Sequence, residues 1–167
     1  MRVAAALLVL LAVAGCGSVA SVGRPAPPFE IESFAGDPLR SESLAGKVVV
    51  LDFWASWCAP CRRTLPGLEA VVNEYDGRDD VVFLAVNPAW SDSKKNALAF
   101  IHSAGVYVPV YWDATGRVAR DYGVRGIPAL VVVGKGGAVT HVSTGGGSAE
   151  AYARKIRREV EEALADD

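Results

Sequence analysis

The chain has 167 residues, 51% of them hydrophobic, and its 17 basic and 19 acidic side chains give a net charge of -2 at pH 7. This length and apolar content are sufficient for one domain with a sizeable core, and they exclude a largely disordered chain. The near-neutral balance, without a basic stripe, argues against a nucleic-acid partner.

An apolar segment at the N-terminus predicts export. Residues 3–13 follow a minimal positive start at Arg2 and have the length of a signal-peptide core, which is too short to span a bilayer comfortably. The run ends in VAGC at residues 13–16, which resembles a bacterial lipobox and implies cleavage before Cys16 and acylation of that cysteine. An ordinary secretory signal that leaves Cys16 unmodified is the alternative.

This N-terminal pattern sets the predicted organisation of the chain. Residues 1–15 are predicted to be a signal peptide, and residues 16–28, which are small, polar and proline-bearing, a lipidated tether. Residues 29–167 then form the domain. The expected location is extracytoplasmic, with the lipid anchor holding the domain on the bacterial cell membrane.

The first elements of the domain are a hairpin, a buried strand and a helix. Residues 29–32 alternate like a strand, and a turn signal at 36–38 predicts a hairpin partner beginning at Leu39. The near-continuous apolar run 48–54 is typical of a strand buried on both faces of a sheet. Residues 58–74 have helical spacing, with a kink expected at Pro66.

Strands and helices continue to alternate towards the C-terminus. The predicted elements are a strand at 81–86, a helix at 92–104, a strand at 108–112, a helix at 115–122, strands at 129–133 and 138–143 around a tight turn, and a helix at 148–165. Tyr152, Ile156 and Val160 recur at helical spacing and are predicted to form the buried face of the last helix. This order predicts an α/β fold with a mixed central sheet.

Two cysteines three residues apart carry the strongest functional signal. Cys58 and Cys61 lie in the segment WCAPC, between the buried strand and the following helix. A helix dipole and its unpaired N–H groups stabilise a thiolate at this position, so Cys58 is the predicted nucleophile. Cys61 lies one turn further on, where it can close a disulfide and release a trapped partner.

Other uses of a cysteine pair have different requirements. A zinc site needs four ligands, and the chain has no second pair, while His102 and His141 stand alone. A c-type haem site needs His after the second cysteine, where Arg62 stands. A structural disulfide remains the plain alternative, although so short a loop stabilises the fold by only about 2 kcal/mol.

The segment FWASWCAPC at residues 53–61 resembles the thioredoxin superfamily, and it is most similar to the extracytoplasmic TlpA/ResA-like thiol-disulfide oxidoreductases. The N-terminal hairpin and the long connection between residues 87 and 128 are similar too, so the resemblance covers about residues 25–164. It implies a thioredoxin-like fold in which Cys58 and Cys61 form the redox disulfide. It also implies an enzyme that acts on exported protein thiols and disulfides, with a membrane electron donor or acceptor and no metal or organic cofactor.

The same resemblance assigns further residues to the site. Pro128 would follow a cis peptide bond and lie against the cysteines, and Ile127 would offer its backbone to an extended substrate. Asp52 matches the buried acid that relays a proton to the second cysteine of thioredoxins, while the lysine that partners this acid is replaced, at Ala85. Trp57 would pack beside the cysteines and shield the thiolate. Without the resemblance a trans proline is the commoner state, and an Asp52 that reaches water or a backbone donor is the alternative to the relay.

The direction of the reaction and two rival functions stay open at this point. Relatives that serve cytochrome c maturation often carry Glu after the cis proline, where this chain has Ala129. A peroxiredoxin-like thiol peroxidase would share the fold and the hairpin, but it needs a Pro-x-x-x-Thr-x-x-Cys pattern that is absent. A non-catalytic lipoprotein binding module would reuse the fold without needing the cysteines.

Overall fold

A computed structural model describes residues 19–166, so the predicted signal peptide and Cys16 lie outside the described residues. The strands are β1 Glu30–Ser33, β2 Pro38–Arg40, β3 Val48–Phe53, β4 Val81–Asn87, β5 Val110–Trp112, β6 Ala129–Val133 and β7 Val139–Thr144. The helices are α1 Ala59–Glu74, α2 Lys94–Ala104, α3 Arg117–Asp121 and α4 Ala149–Ala165, with a 3-10 turn at Ser41–Leu44. This succession confirms the α/β fold predicted from the sequence.

All seven strands form one mixed sheet in the order β2-β1-β5-β4-β3-β6-β7. β3 pairs in parallel with β4 and antiparallel with β6, and β4 pairs in parallel with β5. Every residue of β3 is buried. The apolar run at 48–54 therefore predicted the central strand, because a strand covered on both faces needs no polar alternation.

The two faces of β3 belong to two separate parts of the core. Val48 and Val50 point to the layer of α1, α2 and α4, in the same cluster as both cysteines. Val49 and Leu51 point to the opposite layer, which contains α3 and the N-terminal hairpin. Asp52 follows Val48 and Val50 in the strand alternation, so its carboxyl lies on the face that α1 and α4 cover.

Residues 20–26, inside the predicted tether, belong to the folded domain. The N–H of Ala20 donates to the carbonyl of Asp121 at 2.8 Å, and the N–H of Gly23 to that of Val139 at 2.8 Å. Backbone bonds to α3 and to the edge strand β7 fix this segment, and composition alone gives no sign of them. The domain thus begins earlier than the predicted residue 29. Between residues 19 and 166, no helix is both long enough and apolar enough to cross a membrane.

A glycine allows α1 and α4 to come into direct contact. α1 continues through Pro66 as one helix, and the next residue, Gly67, lies against the first residue of α4. A Cβ placed at Gly67 would lie 2.2 Å from the carbonyl oxygen of Ala149. The position of α4 over the sheet therefore depends on residue 67 being a glycine, which has no side chain.

Replacing Gly67 with alanine is expected to lower the free energy of unfolding by about 1–3 kcal/mol, because the added methyl group forces the two helices apart. The loss would appear although alanine is favoured over glycine inside a helix by about 1 kcal/mol. Urea denaturation measures the effect. Gly136→Ala is the control, because nothing lies within 4 Å of its added Cβ. A Gly67→Ala variant as stable as the parent would contradict the close contact.

Candidate active site

The two cysteines form a disulfide at the start of α1. Their Sγ atoms are 2.03 Å apart, and both side chains are buried. Cys58 is the N-cap of the helix, and its Sγ accepts the N–H of Cys61 at 3.2 Å. When the pair is reduced, this N–H and the helix dipole favour a negative charge on the Cys58 sulfur. The local geometry thus suits Cys58 as the nucleophile.

The loop before β6 lies next to the first turns of α1. The Ile127–Pro128 peptide bond is cis, as the resemblance implied, and Pro128 is buried while Ile127 is partly exposed. A Cβ at Gly146 would lie 2.4 Å from Cγ2 of Thr64 and 3.3 Å from Cγ of Pro128. Thr64 in turn donates its hydroxyl to the carbonyl of Cys61 at 3.1 Å. These contacts join the cis proline to the helix turn that carries the cysteines.

Asp52 is an acid buried in the centre of the sheet, with an exposed fraction of 1%. Its Cα partners on the neighbouring strands are Ala85 of β4 and Leu130 of β6. Ala85 therefore lies opposite Asp52, at the position where the resemblance implied that the lysine of thioredoxins is replaced. Burial raises the pKa of Asp52 to about 7, against the lowering effect of a hydrogen bond from Tyr152. Asp52 is thus poised to gain or lose a proton near neutral pH.

The hydroxyl of Tyr152 donates to Oδ1 of Asp52 across 100 residues of sequence. Helical spacing predicted only that Tyr152 is buried, so this contact was missed. A usable signal existed, since a buried phenol must find a hydrogen-bond partner and Asp52 was a buried acid without one. Burial and the nearby carboxyl raise the pKa of Tyr152 well above its usual value, so the phenol remains a neutral donor.

Trp57 lies on the surface directly before Cys58, with 52% of its area exposed. Its Nε1 donates to the carbonyl of Trp90 at 2.7 Å. The indole is therefore held in place by the segment between β4 and α2, while about half of the side chain stays exposed to solvent. The bond to Trp90 was not indicated by the sequence, and the packing of Trp57 against the cysteines stays a prediction.

Asp92 joins the segment between β4 and α2 to Ser56, two residues before Cys58. It accepts the N–H and the hydroxyl of Ser56, each at 2.7 Å, and the side-chain amide of Asn87 at 2.8 Å. Burial acts to raise the pKa of Asp92, but these hydrogen bonds outweigh it and lower the pKa. Ala89 and Ser91 adopt positive φ angles of 60° and 50°, a conformation that the surrounding bonds must stabilise. The loop thus positions the residues that precede Cys58.

In the described part of the chain, no group of three or more His, Cys, Asp and Glu side chains is placed to hold a metal ion. His141, one of the two histidines considered for zinc, contacts Glu159 and Ser143 instead, at 2.9 and 2.8 Å. The contact with Glu159 joins β7 to α4, whereas Ser143 lies in the same strand as His141.

Comparison with known proteins gives a consistent match over most of the chain. The model of the AhpC/TSA family matches residues 22–142. Thiol-disulfide oxidoreductase ResA of Halalkalibacterium halodurans is 31% identical over 129 residues, which are 77% of this chain and 72% of that protein. Thioredoxin-like protein YneN of Bacillus subtilis is 31% identical over 124 residues, covering 74% of this chain and 71% of its own.

Solved structures show the same similarity. The crystal structure of a putative thiol:disulfide interchange protein DsbE from Chlorobium tepidum superimposes with a TM-score of 0.75 at 28% identity. The superposition covers 87% of this chain and 99% of that one. The solution structure of a putative protein disulfide isomerase from Bacteroides thetaiotaomicron gives a TM-score of 0.74 at 26% identity, over 86% and 92% of the two chains.

The raised pKa of Asp52 predicts how stability varies with pH. The folded protein keeps this proton up to about pH 7, whereas the unfolded chain loses it near pH 3.8, the ordinary pKa of an aspartate side chain. The folded state therefore binds more protons between these values, and the buried acid costs stability as the pH rises through them. Replacing Asp52 with Asn removes this cost, and we expect a gain of up to about 4 kcal/mol at pH 8 and little gain at pH 4.

Urea denaturation of the oxidised protein at the two pH values measures this gain. Asp76→Asn is the matched control, because Asp76 is exposed and its removal touches no buried group. A difference between Asp52→Asn and the parent that is the same at both pH values would refute the buried, protonated acid.

Proposed function

The chain belongs to the AhpC/TSA family and is a thioredoxin-like thiol-disulfide oxidoreductase, and from this basis we propose that Cys58 and Cys61 exchange disulfides with exported protein substrates at a membrane surface. The observation that supports the proposal best is the position of Cys58. Its sulfur caps α1 and accepts a backbone N–H, and the cis-proline loop lies next to the first turns of the same helix. Such a site stabilises the thiolate on which exchange depends.

In the reductive direction, the Cys58 thiolate attacks a substrate disulfide and expels the first substrate thiolate. The resulting mixed disulfide joins Cys58 to the substrate. Cys61 then loses its proton and attacks Sγ of Cys58, which expels the second substrate thiolate and restores the enzyme disulfide. We assign the uptake of the Cys61 proton to Asp52, the buried acid on the sheet face covered by α1. The same steps in reverse oxidise a substrate dithiol, and a membrane electron donor or acceptor resets the pair.

Substrate binding is assigned to the surface around the disulfide. A cis bond before Pro128 turns the backbone of Ile127 towards an extended peptide, whose main chain can pair with it. Trp57 offers an exposed aromatic face on the other side of Cys58. Backbone pairing and an aromatic contact recognise many sequences, which suits an enzyme acting on several protein thiols.

The N-terminal sequence supports the proposed export and anchoring. The apolar run at 3–13 and the segment VAGC at 13–16 support cleavage before Cys16 and its acylation, which leaves the domain tethered outside the cytoplasm. An acyl chain would also account for the third cysteine, since an odd cysteine in an exported protein is otherwise exposed to unwanted pairing.

The peroxidase alternative has less support. The peroxidatic pattern needs a hydroxyl-bearing Thr three residues before its cysteine, and counting back from Cys58 this place is taken by Ala55, which is buried. The proline of the pattern is replaced by Leu51. Neither residue can help to hold a peroxide.

Replacing Cys61 with Ser is expected to trap substrates as stable mixed disulfides on Cys58, because the resolving thiol is gone. Non-reducing electrophoresis of membranes from cells that carry the variant, followed by mass spectrometry, would detect the adducts. The double variant Cys58→Ser/Cys61→Ser is the control and should trap nothing. Adducts of equal yield in both variants, or in neither, would be inconsistent with the roles assigned to the two cysteines.

Replacing Cys16 with Ser is expected to remove lipid attachment and to shift the protein from the membrane fraction. Metabolic labelling with a radioactive fatty acid and fractionation of the cells measure the two effects. Ser18→Ala, a neighbouring substitution, should change neither. Continued labelling of the Cys16→Ser protein would disprove the anchor while leaving the redox assignment intact.

A further inference from the structure

Asp52 has a single polar contact in the interior. Within residues 19–166, the Tyr152 hydroxyl is the hydrogen-bond partner of its carboxyl, at Oδ1. On the flanking strands Ala85 and Leu130 stand opposite the acid and offer no charge and no donor. The second oxygen, Oδ2, therefore remains available to receive a proton.

The elements that hold the disulfide also fix the position of Tyr152. Ser148 caps α4, with its Oγ accepting the N–H of Ala151 at 3.2 Å. The next residue, Ala149, rests on Gly67 of α1. The loop that leads into α4 is bonded to the cis proline, since the N–H of Gly145 donates to the carbonyl of Pro128 at 2.7 Å. The position of the Tyr152 hydroxyl is thus set by α1 and by the loop around Pro128 together.

We propose that Tyr152 is a positioning residue for thiol-disulfide exchange: its hydroxyl holds Oδ1 of Asp52, favours the charged carboxylate and leaves Oδ2 free to take the proton of Cys61. The proposal rests on the function proposed above, in which Asp52 is the proton acceptor. Tyr152 here takes the place of the charged partner that thioredoxins supply, because Ala85 carries no amine.

The proton inventory of the resolving step is simple. The Cys61 proton moves to Oδ2, the S–S bond to the substrate breaks as the Cys58–Cys61 bond forms, and the substrate thiolate leaves. Asp52 then returns its proton to solvent before the next cycle. Only an ionised Asp52 can accept the Cys61 proton. A hydrogen bond that increases the ionised fraction of Asp52 therefore accelerates the step at neutral and lower pH.

Electrostatics at the pair agree with this role. The hydrogen bond from Tyr152 lowers the pKa of Asp52, whereas burial raises it to about 7. Cys58 and Cys61 at the start of α1 belong to the same buried cluster as Tyr152, and Nζ of Lys155 in α4 lies 5.8 Å from the centre of the Tyr152 ring. Without the hydroxyl only burial would remain, and the carboxyl would stay protonated to higher pH.

Replacing Tyr152 with Phe tests the proposal, because it removes only the hydroxyl. In the oxidised protein, where the cysteines do not titrate, NMR of ¹³C-labelled aspartate carboxyls reports the Asp52 midpoint without requiring activity. We expect this midpoint to rise by about one pH unit, the value of one hydrogen bond to a charged group. Replacing Tyr152 with 3-fluorotyrosine, a stronger donor, should lower it.

The kinetic test is single-turnover oxidation of the reduced protein by saturating oxidised glutathione, where the resolving step limits the rate. Tyr152→Phe is expected to be about 10-fold slower below the Asp52 midpoint and to recover the parent rate at pH 9. In an Asp52→Asn background the Tyr152→Phe substitution should have no further effect, because the two act as one unit.

Tyr122→Phe is the matched control. Tyr122 is equally buried, and its hydroxyl donates to the carbonyl of Pro27 at 2.8 Å, away from Asp52. This control should lose stability without moving the Asp52 midpoint. An unchanged midpoint in Tyr152→Phe, or a rate that falls equally at every pH, would overturn the proposal.

The Asp52→Asn variant distinguishes a failure of the role proposed for Tyr152 from a failure of the proton relay proposed for Asp52. If it alters the pH–rate profile while Tyr152→Phe does not, the Tyr152 proposal fails and the relay stands. If Asp52→Asn keeps the parent profile, the relay assigned to Asp52 fails, and Tyr152 loses its role with it.

Discussion

The site depends on close packing around the start of α1, where Cys58 and Cys61 lie. The N-terminus of α1 must meet the end of β3, the cis-proline loop and the start of α4 at one place. Two glycines permit this, because Gly67 admits the backbone of α4 and Gly146 admits Thr64 and Pro128. A side chain at Gly67 would push α4 away from α1, and a side chain at Gly146 would push Thr64 away from Pro128.

The same crowding leaves a carboxyl group without water. Asp52 lies in a strand whose other residues are all apolar, and a pKa of about 7 shows that the charged form is held at a cost. An apolar residue would stabilise the sheet more. The acid therefore reduces stability, and the proton relay proposed for Asp52 would account for its presence, since sites that need a perturbed proton affinity often have this cost.

Local patterns predicted the fold because its elements have strong local signals. The apolar run of β3 identified the central strand, and the spacing of Tyr152, Ile156 and Val160 identified the buried face of α4. The redox pair was equally visible, since its chemistry depends on spacing and on a helix start. Residues 20–26 were predicted to be part of the tether, but they are hydrogen-bonded to α3 and β7. Such backbone bonds leave no periodicity in the sequence.

The supporting contacts of the site could not be predicted in this way. Tyr152 reaches Asp52 across 100 residues, and Asp92 holds Ser56 across 36. Such pairs are set by how helices and loops pack on the sheet, which no local window contains. The cis bond at Pro128 was likewise expected only from family resemblance, because trans is the commoner state of a bond before proline.

The reduction potential of the Cys58–Cys61 disulfide decides whether the pair is redox-active, and equilibration with dithiothreitol or glutathione buffers followed by mass spectrometry of alkylated thiols measures it. A redox-active pair predicts one two-electron transition between about -270 and -120 mV, the range from thioredoxin to strong oxidants. The position within that range would tell a reductant from an oxidant. A potential below about -300 mV, typical of structural disulfides, would contradict the account.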